Sequence, residues 1–184
     1  LQTVLDRAKT ASVLQMAVTG ASLEGSKQAI ALSEQFEGLY ATVGVHPHHA
    51  EEINDETLQM LAALARRPSV VAIGETGLDY FRDFTPRDQQ RRAFEGQLAL
   101  AVELGKPLFL HERDAADDFT AILTKYRDRI NSVVVHCFTG NAHALKRYLD
   151  LDCHIGITGW ICDERRGSHL HSLIRDIPSN RLMI

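Results

Sequence analysis

The chain has 184 residues, 45% of them hydrophobic, which is enough for one sizeable core, and no linker-like stretch divides it, so a single domain over residues 1–184 is expected. A formal net charge of −4 excludes the broad basic field of a protein that coats nucleic acid, so any grip on phosphate must be local. No run of about 18 apolar residues could span a bilayer, and Cys137, Cys153 and Cys162 show neither a CxxC pair nor an even count, so a soluble, cytoplasmic protein with reduced thiols is expected.

In chain order, residues 1–10 read as an amphipathic helix rather than a signal peptide. Short runs rich in β-branched residues then recur at 13–19, 39–43, 70–74, 107–110, 133–136, 154–157 and 181–184, and each reads as a strand. Between them, apolar residues return every three or four positions at 23–35, 57–67, 87–104 and 142–149, which predicts helices. Alternation of this kind implies parallel strands joined by right-handed crossovers, in a sheet covered on both faces.

A doubly wound sheet and a TIM (β/α)8 barrel both satisfy that pattern. No Gly-rich phosphate loop follows the first strand, whereas polar groups collect after several different strands, as at a barrel mouth. The barrel is favoured. Seven strands do not close it, and the sequence begins on a helix and stops on a strand. The expectation is a barrel incomplete as given, lacking the first strand and everything after the eighth.

Glu75 follows Val-Val-Ala-Ile-Gly, His111 follows Pro-Leu-Phe-Leu, and His136 ends Val-Val-Val. Placed at the C-terminal edges of three successive strands about 4.8 Å apart, these groups would converge on one or two shared metal ions. Two neutral imidazoles and a carboxylate suit a divalent cation. Singly, each could equally be a polar residue capping a strand; three in a row make that account much weaker.

His46-Pro47-His48-His49 is the other dense cluster. Its HxH spacing suggests paired ligands, but Pro47 starts a turn and breaks strand geometry, leaving His46 poised between site and loop and His48 and His49 read as solvent-facing loop residues. Arg113 could hold a phosphate or pair with Glu112 or Asp114; the forked guanidinium suits either. Arg165 and Arg166 read more readily as a solvated loop. Trp160 could stack on a base or pack the loop.

At these residues the sequence resembles the TatD family of metal-dependent deoxyribonucleases, a branch related to the amidohydrolase-type barrels. Gly44-Val45-His46-Pro47-His48, Ala72 to Tyr80, His111-Glu112-Arg113-Asp114-Ala115 and His136-Cys137-Phe138-Thr139-Gly140 look like four of its signature segments in order, and Ile155 to Gly167 resembles the bacterial TatD subgroup. The resemblance implies that Glu75, His111 and His136 are metal ligands and that His46 lies close by in the site; His46 and Arg113 are the expected catalytic residues, and Arg113, Trp160 and Arg165, from their places beyond the strand ends, the expected substrate contacts. It implies a 3′-to-5′ exonuclease acting on DNA, preferably single-stranded, as a monomer, with magnesium; the His and Glu ligands would suit zinc or manganese as well. Thr76 and Glu112 stand where members often have cysteine. A family aspartate expected shortly after the eighth strand lies outside this sequence. A same-barrel hydrolase of small esters, amides or lactones, and a non-catalytic partner-binding barrel, are the alternatives.

Overall fold

The computed structural model describes residues 1–184. Seven strands form one parallel sheet: β1 (Met16–Val18), β2 (Leu39–Val43), β3 (Val70–Asp79), β4 (Leu108–Arg113), β5 (Val133–His136), β6 (His154–Gly156) and β7 (Leu182–Met183). They pair in strict chain order, each with the next, and β1 does not meet β7. That order is the barrel's: a doubly wound sheet would reverse direction at a switch point, and none occurs here.

The helices are α1 (Gln2–Thr10), α2 (Leu23–Gln35), α3 (Asp55–Ala65), α4 (Arg87–Leu104), α5 (Ala116–Thr124), α6 (Ala142–Asp150) and the single-turn α7 (Leu170–Leu173). Side-chain oxygens start three of them: Ser22 accepts from Gly25 N, Asn54 from Thr57 N and Asn141 from Ala144 N. Each such cap is worth about 1 kcal/mol. Gly105 ends α4 in the left-handed conformation. A core of 32 buried residues joins strand residues such as Ile73, Leu108, Leu110 and Ile155 to Phe94 and Leu98 of α4, Phe119 of α5 and Tyr148 of α6. Burying each large side chain contributes about 1.5–3 kcal/mol, and this sets the helices' places on the sheet.

Several boundaries depart from the sequence reading. The first strand is shorter than 13–19 because Val13 N still donates to Ala8 O, closing the turn after α1. The amphipathic α1 buries none of its residues. Between β6 and β7 no full helix forms, only short 3-10 turns and α7, since the polar run Asp163 to Gly167 offers no apolar stripe. The last strand shrinks to two residues because Arg181 belongs to the 3-10 turn Ser179–Arg181.

The largest departure is β3, which runs five residues past the expected end. Its pairing with β4 goes from Ile73↔Leu108 to Thr76↔Leu110, three steps along one strand against two along the other, so β3 carries one extra residue. This bulge is possible because Gly74 and Gly77 have φ values of +138° and +149°. A Cβ on Gly74 would stand 1.9 Å from Phe109 O, and one on Gly77 would stand 1.8 Å from His111 O. No other residue type fits.

Candidate active site at the C-terminal rim

The extra residue decides which way Glu75 points. Leu108, Leu110 and Glu112 alternate onto the helix-covered face of β4, where Glu112 Oε2 accepts the Tyr148 hydroxyl proton from α6 at 2.5 Å. Ile73 pairs with Leu108 and belongs to that face. In an unbroken strand Glu75, two residues on, would join it; the bulge reverses the phase and turns Glu75 to the opposite face. Gly77 and Asp79 pair there with His111 and Arg113.

One carboxylate oxygen then becomes a hub. Glu75 Oε1 lies 3.4 Å from His111 Nδ1, 3.6 Å from His136 Nε2 and 3.8 Å from His46 Nε2. Ligand atoms arranged tetrahedrally about 2.1 Å from a common centre stand roughly 3.4 Å apart. His46, Glu75 and His111 in particular place their ligand atoms within 4.8 Å of one another. The donor set, one carboxylate and neutral-capable imidazoles, fits a divalent cation.

The surroundings hold these groups still. Gln97 of α4 is buried; its Oε1 accepts from Val45 N at 2.8 Å while its Nε2 donates to Val45 O at 3.0 Å and to Thr76 Oγ1 at 2.7 Å. It thereby joins the segment leaving β2 to the bulged stretch of β3. His46 starts the 3-10 turn Pro47–Glu52, its Nδ1 accepting from His48 N. Asp79, only 3% exposed, is a member of the site that the sequence pattern does not single out. Its Oδ1 accepts from Phe81 N and Arg82 N, Gln90 Oε1 accepts from its backbone N–H, and its Oδ2 faces His48 Nε2 at 2.8 Å and His111 Nε2 at 3.2 Å. Its signal was present: residues 75 and 79 are an even number apart, so both carboxylates share a strand face if the strand continues.

The charge states follow from these contacts. Burial, with His111 nearby, lowers His46 to about 3, so it stays neutral; with Nδ1 accepting from His48 N, its one proton is on Nε2, toward Glu75. Burial likewise lowers His136. Burial alone would lower His111 too, but Asp79 and Glu75 outweigh it and carry it to about 9. Burial would raise Glu75 and Asp79, yet contact with His111 holds both below the usual carboxylate range. In the metal-free protein a protonated His111 is therefore the cation between two carboxylates.

His48 does not face solvent as a loop residue: it is held against Asp79, its side chain 27% exposed. His49 does point outward, beside Glu52. Arg113 does not pair with Glu112, whose oxygens are taken by Tyr148 and Ala115 N. Its guanidinium instead lies 4.5 Å from the Phe81 ring centre and 5.2 Å from that of Trp160. Trp160 packs against the core and carries Arg166 at 4.3 Å. Arg165 stands apart, 87% exposed, with Asp163 as its neighbour at 3.7 Å.

An open barrel-type sheet with a carboxylate and three imidazoles gathered at the C-terminal ends of its strands defines a hydrolase of the TIM-barrel type with a metal-capable centre. More narrowly, the chain belongs to the family of TatD-related DNases, whose model matches residues 1–184. It is 48% identical over 181 residues to a protein of Enterobacter lignolyticus named 3′-5′ ssDNA/RNA exonuclease TatD, covering 98% of this chain and 70% of that one. A Klebsiella pneumoniae protein of the same name is 46% identical, with 98% and 69% covered. The fold is similar to the crystal structure of a TatD homologue from Escherichia coli K12, with a TM-score of 0.88 and 33% identity over 98% of this chain and 70% of that one. A TatD family hydrolase from Entamoeba histolytica gives a TM-score of 0.83 at 27% identity, covering 97% and 62%. No helix is long and apolar enough to cross a membrane.

Proposed function

We propose that this chain, as one domain over residues 1–184, is a metal-dependent exonuclease that shortens single-stranded DNA or RNA from the 3′ end. The observation that carries the reading is the Glu75 oxygen facing three imidazoles at 3.4–3.8 Å, in a chain 46–48% identical to proteins named for that activity. Glu75, His111 and His136 would hold a divalent cation, with His46 beside them, and magnesium is the ion we propose. When bound, the cation would polarise a phosphoryl oxygen and lower the pKa of a water molecule.

The protein's own groups do the rest. Asp79 accepts from His111 Nε2, which keeps Nδ1 turned toward Glu75, and it fixes His48 in the same way. Burial holds His46 and His136 toward the neutral form, so neither adds positive charge beside the cation site. Arg113, with its carboxylate neighbour engaged elsewhere, offers planar donors to a phosphate, and Trp160 supports it from below. Arg165 adds positive charge farther out on the same loop.

The test is a 5′-labelled single-stranded oligonucleotide incubated with the purified protein and magnesium. A ladder shortening from the 3′ end, stopped by EDTA, is expected for DNA and RNA alike. Metal-dependent turnover confined to small esters, amides or lactones would refute the nuclease reading.

A further inference from the structure

Two of the most exposed large apolar side chains in the molecule are Phe81, 55% exposed, and Phe84, 69% exposed. They lie in the short segment that follows β3, between Asp79 and Thr85. That segment is tied down at both ends. Phe81 N and Arg82 N donate to Asp79 Oδ1, and the buried Thr85 hydroxyl bonds His48 O and Glu51. The rings are therefore held out in solvent by an anchored loop, at the cost of leaving apolar area wet.

Their neighbours give them a direction. The Phe84 ring centre is 4.8 Å from that of His48, which in turn is 4.2 Å from His46 of the cluster. On the other side, Phe81 carries the Arg113 guanidinium at 4.5 Å and Arg82 at 5.6 Å. Phe84 thus sits one side chain away from the cluster, and Phe81 lies on the same loop with guanidinium groups alongside. A protein partner would need an apolar surface of its own; a strand of unpaired nucleotides matches alternating rings and cations as they stand, bases on the rings and phosphates on the arginines.

We propose that Phe81 and Phe84 form a base-stacking rim that grips unpaired nucleotides of the substrate strand beside the Glu75 cluster. The inference rests on the nuclease reading above and deepens it: the rings supply preference for single strands, because bases already stacked inside a duplex cannot lie on them.

Binding is measured in EDTA, where turnover is absent, by fluorescence anisotropy of a single-stranded oligonucleotide and of the same oligonucleotide with abasic nucleotides at its 3′ end. The parent protein should bind the abasic strand about a hundredfold more weakly, about tenfold for each ring left without a base. Phe81→Ala and Phe84→Ala should each weaken binding of the intact strand about tenfold, with little further loss on the abasic one, and Phe84→Trp should restore it. Because both rings are exposed, the thermal midpoints should not move. If the parent binds and cleaves the intact strand but both alanine variants bind it equally well, the rim is refuted and the nuclease reading survives. If the parent neither binds nor cleaves any single strand, both fall together.

Discussion

Replacing Tyr148 with Phe isolates one bond that joins a helix to the strand carrying His111. Tyr148 is fully buried, and burial beside Glu112 pushes its phenol pKa far up, so the hydroxyl remains a donor at every accessible pH. The bond to Glu112 Oε2 measures 2.5 Å, while Glu112 Oε1 accepts from Ala115 N at 2.7 Å, ahead of α5. Hydrogen bonds to a charged acceptor contribute about 1.5–3 kcal/mol, and removing the donor leaves a buried Glu112 carboxylate oxygen without its partner, beside a ring that packs on Phe119 and Phe138. For a chain of this length that corresponds to a drop in Tm of roughly 4–10 °C. Urea unfolding at pH 7 should show the midpoint falling with the slope unchanged. Glu112→Cys should also destabilise by itself, but combined with Tyr148→Phe it should cost clearly less than the sum, because the stranded oxygen is gone. Strictly additive losses in the double variant would show that the two groups are not coupled in this way.

Glu75→Gln should abolish metal-dependent cleavage and lower metal affinity by at least tenfold while circular dichroism stays unchanged; cleavage at the parental rate in saturating magnesium would remove Glu75 from the site. Arg113→Ala should raise KM for oligonucleotides and reduce the salt slope of binding by about 1, whereas lost thermal stability with unchanged kinetics would mark it as structural. His111 rises from 6.5 to about 9 in the folded metal-free protein, so its stabilisation is complete below about pH 6.5 and disappears as pH climbs through 9. Thermal midpoints in EDTA should fall across that window. Asp79→Asn should flatten the fall, and a parent protein whose midpoint holds constant from pH 6.5 to 9 would contradict the assignment.

Much of this architecture is legible in the sequence because its signals are periodic. The alternation of β-branched runs with helical spacing gives the parallel sheet, and the residues after three strands give Glu75, His111 and His136 as neighbours. What escapes is whatever departs from period. The stretch Gly74 to Gly77 reads as the end of a strand, since two glycines in four residues ordinarily break one; the structure uses both to bend it and continue. A strand that ends at Gly74 gives Asp79 no face to share with Glu75. His48 departs from a solvent-facing loop position for a related reason: the turn at Pro47 does break strand alternation, but a 3-10 turn brings the ring back over Asp79. For Arg113 the sequence offers a phosphate or its acidic neighbours Glu112 and Asp114 as partners, whereas in the fold its guanidinium lies against two aromatic rings from other loops, which nothing in the local sequence signals.

The extra residue in β3 also makes the site a matter of counting. Substitutions at neighbouring positions would alter one side chain each, but deletion of the Gly74 codon would leave Ile73↔Leu108 and Thr76↔Leu110 joined by equal steps and put Glu75 alone opposite Phe109, where Gly74 and Glu75 now stand together. Glu75 would then lose the offset that the bulge gives it relative to His111 and would carry its Cβ where only a glycine fits against Phe109 O, and any segment borrowed from another barrel to replace β3 would have to bring the irregularity with it. Mutational scans of this protein that include in-frame deletions should therefore find this stretch less forgiving in length than in composition, apart from the two glycines themselves.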